Sequence, residues 1–351
     1  MALQIQIWIK SIISALFADD SFASKSVDHS EFVNARTVHV PNAGAAPGVT
    51  KNRTTFPATV TTQEDADLEY SIDEYTVDPI RVSHAEQVEL SYNKRESVIR
   101  TSRNKLANDV HSALIYNWIP EGVSTLATEG DAVAAHIPTA TGNRKAMTKA
   151  TVEAAQILFD EQDIPETGRY MLLDARMYNQ LKNSLTNNEV VAFLAGADPE
   201  KGIIGEYAGF KFYKRSKVAK TSNTGALKEW SAAAAATDSA AGIAWHEDCV
   251  SRALGASVLF DDEKNPLYYG DIISFLQRAG GSYIRADKKG VALIYQATAS
   301  ARAGPGGRGA RKRPKVAAFI TIKRTLEPSV PTITDKGPKG RQGPQSLYII
   351  M

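Results

Sequence analysis

Between Asn93 and Trp118, apolar or small residues recur every fourth position at Val98, Ser102, Leu106, Val110 and Leu114, with Ile99, Ala107 and Ala113 beside them. That spacing places one stripe along one side of an α-helix. Asn93 stands at the N-cap, Glu96 at the capping-box position three residues on, and Pro120 stops the helix. About 25 residues at about 1.5 Å each give a rod of nearly 40 Å, longer than a small domain needs. The other face carries Arg95, Arg100, Arg103, Lys105 and Asp109 and is expected to be solvated or to meet another subunit, not to grip nucleic acid.

The segments before the rod are poor in core residues. Leu3–Phe17, with Ile5, Trp8 and Ile12, reads as an amphipathic arm helix seeking a partner surface. Gln4, Gln6 and Lys10 interrupt it, no basic stretch precedes it and Asp19-Asp20 follow it, which argues against a signal peptide. Residues 18–50 are polar and loop-like. Beyond them Thr54–Phe56, Thr59–Thr61 and Leu68–Ile72 favour strands, with Asp65-Ala66-Asp67 as a turn and Leu68, Tyr70 and Ile72 on one face. Such a ribbon is marginal alone and is expected to lie on something else.

After the rod the pattern is α+β. Glu121–Lys145 reads as a connection, and Thr148 caps a helix running to Phe159 and leaving through Asp163-Ile164-Pro165. Arg169–Leu173 reads as a buried strand, and Asp174 caps a helix holding Met177, Tyr178 and Leu181. Gly202, Gly205 and Gly209 then form a structural turn feeding a strand with Phe210 and Phe212 on one face. Their spacing is neither the dinucleotide fingerprint nor a phosphate loop. Alanine-rich Ser231–Gly242 is expected to be a helix or a flexible surface insertion. Strands follow at Ile243–Trp245, Val258–Phe260, Tyr268–Gln277, Ser282–Arg285 and Val291–Tyr295, with a helical turn at Glu247–Leu254 and a tight turn at Asp287–Gly290.

No catalytic, cofactor-binding or metal-ligating set emerges. His246-Glu-Asp-Cys249 is dense, but four consecutive residues do not converge on one point, and the single cysteine has no partner at zinc spacing. His29, His39, His84, His111 and His136 are scattered and read as surface or packing residues. Asp261-Asp262-Glu263 lacks the register of a calcium loop and reads as an exposed turn. No apolar run approaches the roughly 20 residues of a membrane span. Charge is unevenly divided: residues 301–351 hold 11 basic and 2 acidic residues, which leaves 1–300 at −7. In that tail Arg308, Arg311, Lys312, Arg313 and Lys315 are candidate nucleic-acid contacts, set against a solvated extension or sequence outside the natural reading frame.

The order of elements resembles the major capsid proteins of tailed bacteriophages, with the Hong Kong 97-type shell fold. Gly168–Tyr178, Gly202–Tyr213, Ala244–His246, Tyr268–Asp271 and Gly290–Ile294 carry the resemblance. It implies an N-terminal arm (1–50), an extended β-hairpin loop (51–92), a peripheral domain with a spine helix (93–146), an axial domain (147–249), closing strands returning to the peripheral domain (250–300) and a basic, disordered tail (301–351) that the family does not account for. It also implies a non-enzymatic subunit without cofactor or metal, assembling with itself into hexamers and pentamers. Its other partners would be portal, separate scaffolding and decoration proteins, around double-stranded DNA enclosed without specific binding and without any membrane. Its location would be the virion, after assembly in the host bacterial cytoplasm. Ile5, Trp8, Ile12, Phe56, Leu68, Tyr70, Ile72, Arg95 and Arg103 are the expected subunit-interface residues. Two other readings are an encapsulin-type compartment around a protein cargo, and a nucleic-acid-binding protein acting through the tail.

Overall fold

The computed structural model describes residues 6, 9–11, 13, 14, 16–18, 20–42, 48–54, 56–58, 60, 66–83 and 94–299. Met1–Arg302 is one compact unit; a second, Ala303–Met351, lies outside the described residues, as do Ile5, Trp8, Ile12 and Asn93. The basic residues Arg308, Arg311, Lys312, Arg313 and Lys315 belong to that second unit.

The expected rod is a helix of 25 residues, Lys94–Trp118. It joins two cores. Ile99, Leu106 and Val110 pack with Leu259, Ile273 and Phe275, whereas Leu114, Ile115 and Trp118 enter a larger core with Phe159, Phe212 and Trp245. Ile99 rather than Val98 is the buried residue of its first turns. Described residues between Gln6 and Leu16 are helical, and Leu16 is fully buried beside the rod, where His111 Nε2 donates to its carbonyl at 2.6 Å.

The larger core surrounds an eight-stranded sheet. Arg169–Asp174 is buried at every residue and pairs in parallel with Phe210–Arg215, the chain crossing over through helices Ala175–Ser184 and Asn187–Ala195. Asp174 caps the first of these as expected, accepting from Arg176 N and Met177 N at 2.8 Å each. Thr148 occupies the N-cap of Lys149–Glu161 but makes no capping bond with its side chain. Ser239–His246 pairs with Arg169–Asp174, Ala219–Thr221 and Val291–Tyr295. The alanine-rich stretch is therefore neither helix nor insertion at its end: Ser239–Gly242 opens a wholly buried strand. Small side chains are what a close approach requires here, since a Cβ on Gly242 would lie 2.7 Å from the Leu172 carbonyl oxygen.

A four-stranded sheet orders Val27–Asp28, Ser251–Asn265, Gly270–Gly280 and Asp73–Ser83. Three expectations change here. The helical turn at 247–254 is only Glu247–Cys249, and Ser251 begins a 15-residue strand. Asp261–Glu263 lies within that strand and is not an exposed turn. Ser282–Arg285 is no strand and contributes one isolated bridge, Tyr283 to Val250. The final strand Val291–Tyr295 returns to the eight-stranded sheet, beside Ser124–Ala127, not to the sheet of the long hairpin.

The hairpin expected at the extended loop differs as well. Ala66–Ser71 pairs with Thr37–Asn42, so Ala66 and Asp67 are strand residues and not a turn, and the hairpin draws one arm from the polar segment 18–50. That segment is not free of core residues either: Phe22, Ala23 and Val38 are buried. Trp245 Nε1 donates to Lys25 O at 2.9 Å, and the Arg252 guanidinium donates to Ser24 O and Ser26 O at 2.9 and 2.6 Å.

Candidate functional site

The expected interface residues separate into two groups. Phe56 is 75% exposed, and Leu68 is half-buried on the hairpin. Tyr70, half-buried, and Ile72 pack within the chain. The Ser251 hydroxyl donates to Tyr70 Oη at 3.2 Å, and Ile72 is fully buried with Val38 and Ala253 in a small core of the chain itself. Ile72 fits there because Gly255 and Gly280 face it; Cβ atoms at those positions would come 2.7 and 3.0 Å from its side chain.

Arg95 and Arg103, assigned to a solvated or intersubunit face, are engaged within the chain. Arg103 donates to Ser11 Oγ at 2.8 Å. Arg95 joins the start of the rod to the long hairpin through Glu263 at 3.0 Å, Asp271 at 3.5 Å and a shorter contact with Asp261. Burial holds the Asp261 carboxyl above its ordinary value, Arg95 opposes this, and Glu263 and Asp271 reinforce it. The sequence shows only three consecutive acids, Asp261-Asp262-Glu263, and a separate Asp271; that Asp261, Glu263 and Asp271 meet Arg95 is legible only once the strands are paired.

Exposed apolar side chains gather where sequence reasoning had named none. Leu267 (82% exposed), Tyr268 and Tyr269 occupy the turn joining the two long strands, and Phe260 lies on the first of them. Ile157, Val191 and Leu194 are exposed on helices Lys149–Glu161 and Asn187–Ala195, which Lys149 and Glu189 tie together at 2.7 Å.

The dense His246–Cys249 segment is structural. His246 Nε2 donates to Thr167 O at 2.8 Å, its Nδ1 accepts from Asp248 N, and burial pushes the Cys249 thiol up to about 11, away from the thiolate a nucleophile needs. Burial also holds His29 and His111 below the ordinary histidine value. His136 is paired with Asp174, and His39 lies 3.9 Å from Glu69. Among the described residues no group of three or more His, Cys, Asp or Glu side chains is placed to hold a metal ion.

The three glycines serve one turn in three ways. Gly202 ends a short 3-10 turn at φ +70°, and a Cβ there would come 2.1 Å from the Asp20 carbonyl oxygen. Gly205 has the Phe193 ring 2.4 Å from its would-be Cβ. Gly209, at φ +74°, follows Ala208 at φ +51° in a two-residue hairpin between Glu206–Tyr207 and Phe210–Arg215, the primed turn that suits strand twist.

No protein-family model and no curated protein matches the chain. Solved structures do. The capsid of Ralstonia phage GP4 superposes with a TM-score of 0.55 at 13% identity, covering 80% of this chain and 89% of that one. The capsid of cyanophage P-SCSP1u gives 0.54 at 16% identity over 78% and 87%. A chain of Mycobacterium phage Che8 gives 0.51 at 16% identity over 78% and 90%. The likeness is one of fold: the α+β, Hong Kong 97-type shell architecture that the order of elements implied.

Proposed function

We propose that the chain, which folds as tailed-phage capsid shells do, is the major capsid protein of a tailed bacteriophage, building the pentamers and hexamers of an icosahedral head around double-stranded DNA. The observation carrying this reading is the shell fold, which extends over 78–80% of the chain and 87–90% of the phage proteins compared. In this reading residues 1–50 are the arm, 51–92 the extended loop, 93–146 the peripheral domain with its spine helix, 147–249 the axial domain and 250–300 the closing strands. The loop hairpin borrows Thr37–Asn42 from the arm, and the last closing strand joins the axial sheet.

Function is then geometric. A subunit whose two larger cores share a helix of about 37 Å presents exposed apolar groups, and closed symmetry repeats each contact many times. The −7 charge of residues 1–300 suits a wall that encloses DNA without specific binding. Portal, separate scaffolding and decoration proteins complete the head, which assembles in the host bacterial cytoplasm and persists in the virion. Electron microscopy of the expressed, purified chain tests the reading. Closed particles, tubes or capsomer rings are expected; a stable monomer at high concentration overturns it, and shells filled with a protein cargo redirect it to a compartment.

A further inference from the structure

An open cavity of about 570 Å³ lies between the second half of the long helix and the segments around 136–138, 174–176 and 216–234. Its volume falls within the roughly 300–1,000 Å³ of small-molecule sites. Most of its wall is apolar, including Ile115, Ile137, Val218, Leu227 and Trp230.

The charged groups around it are nearly all cationic: Arg176, Lys217, Lys220 and Lys228. Lys228 is paired with Asp238 at 2.5 Å, and Lys220 donates to Ala232 O. The acid in the lining, Asp174, is already engaged, capping its helix through one oxygen and accepting from His136 through the other. Arg176 and Lys217 are exposed, and their side chains have no partner among the described residues. The cavity thus combines a greasy wall with two uncommitted positive charges.

We propose that this cavity binds an amphiphilic anion, a small molecule with an apolar body seated against Ile115, Val218 and Trp230 and an anionic head held by Arg176 and Lys217. Burial of the apolar body favours binding of an amphiphile of either charge. The head supplies discrimination, because a cationic head on the same body is repelled by Arg176 and Lys217, while the acid in the lining, Asp174, is already engaged.

Isothermal titration of the purified full chain with sodium dodecanoate below its micelle concentration tests this, with dodecyltrimethylammonium as the same tail bearing the opposite charge. One site per chain is expected, with dodecanoate bound at least tenfold more tightly than the cation. Arg176→Glu with Lys217→Glu, both at exposed positions, should weaken dodecanoate at least tenfold. Ala234→Trp, which fills the cavity from a loop, should remove binding while circular dichroism stays unchanged. Absence of dodecanoate binding, equal binding of the two amphiphiles, or binding indifferent to both variants would overturn the proposal.

Discussion

At the residue scale, the glycine turn separates two costs that are often merged. Gly209 has open space around its would-be Cβ, so Gly209→Ala bears only the left-handed backbone penalty, about 1–2 kcal/mol. Gly202 adds a collision with backbone at Asp20 that no rotamer relieves. Urea unfolding should therefore rank Gly202→Ala well below Gly209→Ala in stability, and equal losses would contradict the close approach. Gly209→Val should be worse than Gly209→Ala, since a β-branched residue tolerates positive φ poorly. Glu189 gives a second test at this scale. Its hydrogen bond to Lys149, aided by the Thr186 capping box, holds its carboxyl at about 2 against an ordinary 4.5. A depressed folded-state value contributes stability that is fully present above about pH 4.5 and lost as pH falls toward 2. Glu189→Gln should flatten that part of the stability profile, and an unchanged slope would show that the pair contributes nothing.

At the element scale, the rod is stabilised by what it joins more than by its own pattern. Its first turns are anchored by Arg95 among Asp261, Glu263 and Asp271. Arg95→Ala leaves three carboxylates crowded and partly desolvated, a loss of about 1–3 kcal/mol near neutral pH. Because burial already holds the Asp261 carboxyl above its ordinary value, the loss should shrink on acidification as Asp261 takes up its proton; a loss independent of pH would assign the effect to packing. Ile72→Ala, by emptying the seat between Gly255 and Gly280, should cost about 2–4 kcal/mol in thermal or urea unfolding. The rod, the buried strand at 169 and the Asp174 cap were legible in the sequence because each rests on local periodicity or a capping residue. The strand at Thr37–Asn42 was not: Pro41 argues against a strand, and it is tolerated because the other neighbour, Val33–Asn34, pairs only as far as Thr37 and Val38.

At the scale of the whole molecule, surface chemistry should decide assembly while the cores decide folding. Leu267→Asp alters a side chain that is 82% exposed, so the unfolding midpoint should hardly move. If the turn between the long strands meets a neighbouring subunit, sedimentation will nevertheless show fewer large assemblies; unaltered assembly would remove that turn from the contact set. The sequence by itself determined what depends on neighbours along the chain: a helix of unusual length, a buried strand, the helix capped by Asp174, the glycine turn and the succession of elements that matches a shell fold. Tertiary structure alone decided which strands pair, that Ile72 is buried while Tyr70, Arg95 and Arg103 contact distant segments of the same chain, and that Asp261 and Glu263 face an arginine more than 160 positions away in the chain. The physical reason is range. Periodicity and capping are set by residues a few positions apart, whereas burial and ion pairing are set by whichever distant segment the sheet brings alongside.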